Sequence, residues 1–415
     1  MEKKEQKDLS VYKQKFEDDV ASFREFEAMD YVKSLKNQGQ EDEAIEVGKT
    51  FLEQRPDLHA YINHYGYALY NKFVKGAQSK EDVNFEMVSE IAQEILKVCK
   101  QERYSPYEAT CNAMIRFGLE QKPVDYKLVS EYLDYLDPTL LSKEPYTQEG
   151  QKEGESKFER WYRLRVRAAF ELKDYKKCVE IANQAMTLNI KWHFRNAYWI
   201  RVYRAKSNLE LGHYEECEHE YLVLQNQYFD TDFYRTLYKI LAGLDRQKEA
   251  NVYLLYDIYI SGYDKEQKSL YNLLLEAAKV AGDDHAVELI TAMNLAFDKE
   301  AGKDVELPEA FTNKTSGELY DRMIDEVTRH LDLYVERKKG KVIHYNEEKE
   351  LGSIAVGDEP AIFFRQADFI YDEEVRRYER VEFTEMKTFD RKKQAITKKA
   401  VLVLESEEET FNFGY

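Results

Sequence analysis

Gly340-Lys341-Val342-Ile343-His344-Tyr345-Asn346, continued by Glu347-Glu348-Lys349-Glu350-Leu351-Gly352-Ser353-Ile354 and then by Ala361-Ile362-Phe363-Phe364-Arg365, is the stretch that decides the fold. Apolar and polar residues alternate along it with the two-residue period of half-buried strands. Asn346 and Gly352 stand where the chain must turn or bend. The first two segments therefore read as antiparallel strands, and Ala361 to Phe364 reads as a third. Nothing else in the 415 residues reads as consecutive strands.

The same stretch resembles the cold-shock domain, a five-stranded OB-type barrel that holds single-stranded RNA or DNA on an aromatic face. That family opens with Gly-Lys-Val-Lys-Trp-Phe-Asn, then a Lys-Gly-Phe-Gly-Phe-Ile motif, then an Asp-Val-Phe-Val-His type motif. Gly340 to Arg365 keeps that order and spacing. Val381-Glu382-Phe383 stands where the family has its fourth strand, and Gln394-Ala395 with Ala400-Val401-Leu402-Val403 resembles the closing strand. The resemblance thus runs over residues 339–404.

Several positions depart from the family pattern. His344 replaces the tryptophan, Leu351 and Ser353 replace two aromatics, Ile343 replaces a lysine and Arg365 replaces the histidine of the third motif. The resemblance implies that Lys341, His344, Lys349, Phe363 and Arg365 meet single-stranded RNA or DNA. Lys392 and Lys393 add charge from a basic cluster that also contains Lys387, Arg391, Lys398 and Lys399. Each stacked base contributes roughly 1 to 3 kcal/mol, so fewer platform aromatics and several cations imply weak, salt-dependent binding.

Composition bounds the rest. A net charge of -18 argues against a protein that coats nucleic acid over its whole surface, so such contact must be local. Thirty-two tyrosines with only seven prolines and 17 glycines suit long helices. No run approaches a membrane span, and Met1-Glu2-Lys3-Lys4-Glu5 leads into charge rather than an apolar signal segment. Cys99, Cys111, Cys178 and Cys217 are widely spaced within helical patterns and read as reduced core thiols, which predicts a cytoplasmic protein.

Between residues 29 and 298 the pattern is helical and repeats. Phe170-Glu171-Leu172-Lys173-Asp174-Tyr175-Lys176-Lys177-Cys178 returns as Leu209-Glu210-Leu211-Gly212-His213-Tyr214-Glu215-Glu216-Cys217, with Tyr175 and Tyr214 39 positions apart. Related turns precede Ala44, Ala250 and Ala286. Each places a small residue at the start of a second helix, where two helices must approach closely. This is similar to the tetratricopeptide repeat, whose helical hairpins stack into a solenoid with a concave groove; here the repeats are degenerate.

The predicted fold class is therefore mainly α, a degenerate tetratricopeptide-like solenoid followed by a small five-stranded OB or cold-shock-like barrel. An N-terminal helix occupies residues 1–28, the solenoid 29–298 with an exposed loop near 139–157, a linker and connecting helix 299–338, the barrel 339–404, and an acidic aromatic tail 405–415.

No zinc helix, phosphate-cradling glycine loop or nucleophile elbow is present, so neither an enzyme nor a cofactor or metal is expected. Two features of the solenoid rise above background. Arg163, Arg167 and Lys206 fall on first-helix positions that the repeat resemblance turns toward the groove, where they would hold an acidic peptide or phosphate of a protein partner. Tyr253, Tyr256, Tyr259 and Tyr263 form a stripe that reads as core. The expected function is a single-stranded nucleic-acid adaptor, with nucleic acid on the barrel and protein on the repeats. The alternative is a protein–protein scaffold whose barrel binds no nucleic acid.

Overall fold

A computed structural model describes residues 7–79, 83–147, 152–224, 233–371, 375–390 and 392–406. The chain divides into two compact units, Met1–Ser207 and Asn208–Tyr415.

The first unit is helical. It contains α1 (Ser10–Asp18), α2 (Glu25–Asn37), α3 (Glu41–Gln54), α4 (Ile62–Leu69), α5 (Phe85–Val98), α6 (Tyr107–Glu120), α7 (Tyr126–Asp134), α8 (Lys157–Glu171), α9 (Tyr175–Thr187) and most of α10 (Asn196–Glu210). Most successive helices are joined by short turns, but residues 70–84 separate α4 from α5 and residues 135–156 separate α7 from α8. Ala44 opens α3 and Cys178 opens α9, and both are fully buried, as a close helix-to-helix approach requires. Asp174 caps α9 by accepting a hydrogen bond from the Lys177 amide. The stretch read as an N-terminal helix is shorter than residues 1–28: α1 is followed by a tight turn at Val20–Ser22, after which Phe23 is buried.

The second unit begins with the end of α10 and continues through α11 (Tyr214–Leu224), α12 (Phe233–Gly243), α13 (Gln247–Ser261), α14 (Lys268–Ala281), α15 (Asp284–Glu300), α16 (Ser316–Arg329) and α17 (Leu331–Tyr334). Cys217, Ala250 and Ala286 open the second helix of three further hairpins and are again fully buried. The connecting segment is two helices rather than one. The backbone leaves α16 at His330 and resumes in α17, which turns Leu331 and Tyr334 into the core before the first strand starts at Lys338.

The strands β1 (Lys338–Asn346), β2 (Leu351–Ala355), β3 (Ile362–Arg365), β4 (Arg380–Asp390) and β5 (Ala395–Glu405) close into a barrel in the order β1-β2-β3-β5-β4. All neighbours are antiparallel except β3 and β5. Val342, Ile354, Ile362, Phe364, Val381, Phe383, Ala400 and Val403 fill its interior.

Two glycines allow the strands to approach. A Cβ at Gly352 would lie 2.4 Å from the His344 carbonyl oxygen, and one at Gly340 would lie 2.4 Å from Ile354. Asn346 ends β1 by accepting the Lys349 amide, which turns the chain into β2.

Candidate nucleic-acid interface

Paired residues on neighbouring strands point to the same side of a sheet, so the register sorts the barrel's side chains. Val342 faces Ile354, which faces Ile362, and this row is interior. The row His344, Ser353, Phe363 and Lys399 is therefore exterior. So are Leu351 with Arg365 and, on the other side of the bulge between Val342 and His344, Lys341 with Ala355. Phe363 is 40% exposed, although its neighbour Phe364 is fully buried. His344, Lys341 and Arg365 are exposed too.

The barrel exterior has two different sides. Along β4 and β5 it is held by helices of its own unit. Lys387 Nζ lies 2.9 Å from Glu218 Oε1 of α11, and Tyr253 of α13 donates to the Lys387 carbonyl at 3.0 Å. Lys399 Nζ donates to Asp368 at 2.8 Å and to the Tyr256 hydroxyl at 2.8 Å, and the Tyr256 hydroxyl also bonds Asp368 at 2.7 Å. Burial pushes the Lys399 ammonium below its ordinary value, opposed by the adjacent Asp368 carboxylate. Arg337, which leads into β1, donates to the Leu402 carbonyl at 2.6 Å and to Thr384 at 3.1 Å.

Of the tyrosine stripe, Tyr253 and Tyr256 of α13 are buried as core, Tyr259 is half-buried, and Tyr263, beyond the end of α13, is 39% exposed, which corrects the core reading there; all four hydroxyls are used. Tyr253 and Tyr256 hold the barrel, Tyr259 meets Thr328 and Tyr263 meets Ser316.

Among the described residues, the exterior along β1, β2 and β3 is open. His344 and Phe363 lie on either side of Ser353, two strand spacings or about 10 Å apart. At that distance the two rings do not form one continuous stack. A third ring joins them from outside the strands. Tyr378, 57% exposed, precedes β4 and is fixed to β1 by its amide, which donates to the Val342 carbonyl at 2.7 Å. Its ring lies 5.2 Å from Lys341 Nζ and 4.9 Å from the Arg377 guanidinium. Arg377 Nε in turn donates to the Ile343 carbonyl. Tyr378 and Arg377 carry no strand pattern in the sequence; only the pairing of their loop with β1 brings them to this face.

The cations divide by position. Lys349 sits in the β1–β2 turn, at the same end of the barrel as Arg365. Lys392 and Lys393 sit at the opposite end, in the β4–β5 turn, where both amides bond Asp390. Ala395, where that turn rejoins β5, is already about 13 Å along the strand from Lys399. The structure therefore brings Lys341, His344, Phe363 and Arg365 onto one face with Lys349 at its edge, and leaves Lys392 and Lys393 apart.

The rest of the basic cluster is neutralised or undescribed. Lys387, Lys398 and Lys399 are paired with Glu218, Glu385 and Asp368. Arg391 and the tail beyond residue 406 lie outside the described residues. Among those residues, Lys341, Lys349, Arg365, Lys392 and Lys393 form no ion pair.

In the first unit, Arg163 and Arg167 share one face of α8. Arg163 is bidentate on Glu155, at 2.8 and 2.7 Å. Arg167 lies 3.6 Å from Glu171 and 5.6 Å from the centre of the Tyr126 ring. Tyr203 of α10 lies within the field of both arginines, and the half-buried Lys206 follows it on the same helix. Arg165, adjacent in sequence, is buried instead against Ser130 and Asp134.

The four cysteines are buried and free, and burial raises every thiol, Cys178 to about 11 and the other three to about 12, which leaves none as a nucleophile. No helix among the described residues is long and apolar enough to cross a membrane. No protein-family model matches the chain, and no curated protein matches it.

Proposed function

We propose that this chain is a single-stranded nucleic-acid binding adaptor whose barrel takes RNA or DNA on the face formed by β1, β2 and β3. One observation carries the reading: three exposed rings, His344, Phe363 and Tyr378, share the uncovered side of a closed barrel with Lys341, Lys349, Arg365 and Arg377. Rings accept bases of any sequence, and unpaired cations meet the phosphates between them. The strand order, with β3 parallel to β5, supports the OB-type and cold-shock resemblance of residues 339–404.

The helical hairpins, each with a small buried residue at its second helix, support a tetratricopeptide-like reading in which Arg163, Arg167 and Lys206 face a protein partner. The scaffold alternative draws on the loss of Lys387, Lys398 and Lys399 to internal ion pairs, which removes half of the six-residue basic cluster from any ligand.

The test is a titration of the full chain with a fluorescent random single-stranded RNA pool at several salt concentrations. Four available cations predict a slope of log K on log salt of about -3, from roughly 0.7 per neutralised phosphate on a single strand. Binding at low salt with that slope supports the adaptor. No binding at low salt, or binding with a slope near zero, transfers the barrel to a protein partner.

A further inference from the structure

We propose that Asp283, Glu326 and His330, all in the second unit, form a binding site for a zinc-type divalent cation. Asp283 stands at the turn between α14 and α15, while Glu326 and His330 are four residues apart at the end of α16. One ligating atom from each lies within 4.8 Å of the others. His330 Nδ1 is 3.2 Å from Glu326 Oε1 and 3.7 Å from Asp283 Oδ2. A tetrahedral ion with bonds of about 2.0 to 2.1 Å separates its ligands by about 3.3 Å, so these spacings fit one ion between the three atoms.

The remaining contacts orient the donors, and of the converging atoms Asp283 Oδ2 is shared with a hydroxyl. Asp283 Oδ1 caps α15 by accepting the Ala286 amide at 3.0 Å, and Oδ2 accepts the Tyr334 hydroxyl at 2.8 Å. The other oxygen of Glu326 accepts from Arg329 at 2.7 Å. Such outer contacts orient ligands in metal sites.

Two observations point to an ion. Side chains of Asp283 and Glu326 are only 3% and 8% exposed, so two carboxylates are buried side by side; Arg329 pairs with the outer oxygen of Glu326, and a cation between the inner oxygens would offset their repulsion. His330 Nδ1 is the nearest candidate, yet this buried ring nitrogen makes no hydrogen bond to either oxygen. It faces the gap between the carboxylates, as a ligating lone pair would. The outer part of the ring remains open to solvent, at 42% side-chain exposure, which gives an ion a path in and leaves a fourth position for water. One nitrogen with two carboxylate oxygens suits zinc better than magnesium, which prefers oxygen and water in an octahedron.

A bound ion ties the α14–α15 turn to the segment that leads into the barrel, because Tyr334 bonds Asp283 and its carbonyl accepts Asn251 of α13. No other group of three His, Cys, Asp or Glu side chains converges in this way among the described residues.

The full chain, stripped with chelator and titrated with zinc chloride by calorimetry at pH 7.5, tests the proposal. The expected result is one saturable site per chain, an increase in melting temperature with zinc, and little response to magnesium. His330→Ala, at a partly exposed position, and the near-isosteric Glu326→Gln should each weaken zinc binding at least tenfold. Each variant's circular dichroism without metal identifies it as folded, and the reading rests on whichever is. Absence of saturable binding overturns the proposal. Equal zinc affinity in wild type and a folded variant also overturns it.

Discussion

Phe363→Ala and Phe364→Ala change adjacent residues on opposite faces of β3, and their contrast tests the barrel face in depth. Phe363 points outward, pairs with Ser353 and Lys399 and is 40% exposed, so its truncation leaves no cavity in the barrel. On the proposed reading it loses one stacked base, roughly 1 to 3 kcal/mol, which raises Kd for single-stranded RNA about 5- to 150-fold. Phe364 is fully buried, lies parallel to Tyr345 at a ring separation of 6.1 Å and meets Phe369 edge-on at 5.5 Å. Its truncation should cost about 3 to 5 kcal/mol of stability. Fluorescence anisotropy on the full-length variants, with thermal unfolding followed in parallel, separates the two effects. Phe363→Ala should weaken binding while melting like wild type; Phe364→Ala should melt early. A Phe363→Ala protein that binds RNA as tightly as wild type refutes the stacking argument.

Two further predictions concern how the barrel is held. Lys399→Met leaves the buried Asp368 carboxylate without its cation, a loss of about 3 to 5 kcal/mol, which lowers the melting temperature of the second unit by about 6 to 20 °C; an unchanged transition in calorimetry rejects the buried pair. Acid should loosen the barrel. Burial raises the Glu218 and Glu385 carboxyls, but hydrogen bonds from Arg246 and Lys387 to the first, and from Lys338 and Lys398 to the second, outweigh it and hold both below 4.5. Groups with depressed folded values contribute stability that is complete above the unfolded value and is lost as pH falls through the folded one. The melting temperature should therefore hold from pH 7 to 5 and fall below about 4.5, and Glu218→Gln with Glu385→Gln should flatten that fall; an equally steep fall in the double variant contradicts it.

The strands were legible because alternation in Val342 to Ile354 is local and because Gly340 and Gly352 stand where backbones approach. The helical hairpins were legible through small residues such as Cys178 and Ala250, whose burial follows from the turn before them. Helix ends were less so. His330 leaves the helix although nothing in the apolar stripe Leu319, Met323, Val327 and Leu331 breaks there, because the periodicity continues across the kink.

The open face was readable only in part. His344, Phe363 and Arg365 follow from strand parity once the register is known. Tyr378 and Arg377 depend on a loop pairing with β1, which no local pattern announces. The cations of the last hairpin read alike in sequence, yet pairing partners from far along the chain, such as Glu218 for Lys387, leave some exposed and neutralise others. Long-range pairing of this kind is set by tertiary packing and not by composition.

Ultraviolet crosslinking of the full chain to single-stranded RNA, followed by peptide mapping, tests the central claim most directly. Crosslinks are expected at Phe363 and Tyr378, with His344 of β1 as a third point, and are expected to be lost as salt rises. Crosslinks confined to residues 7–207, or absent at low salt, contradict it.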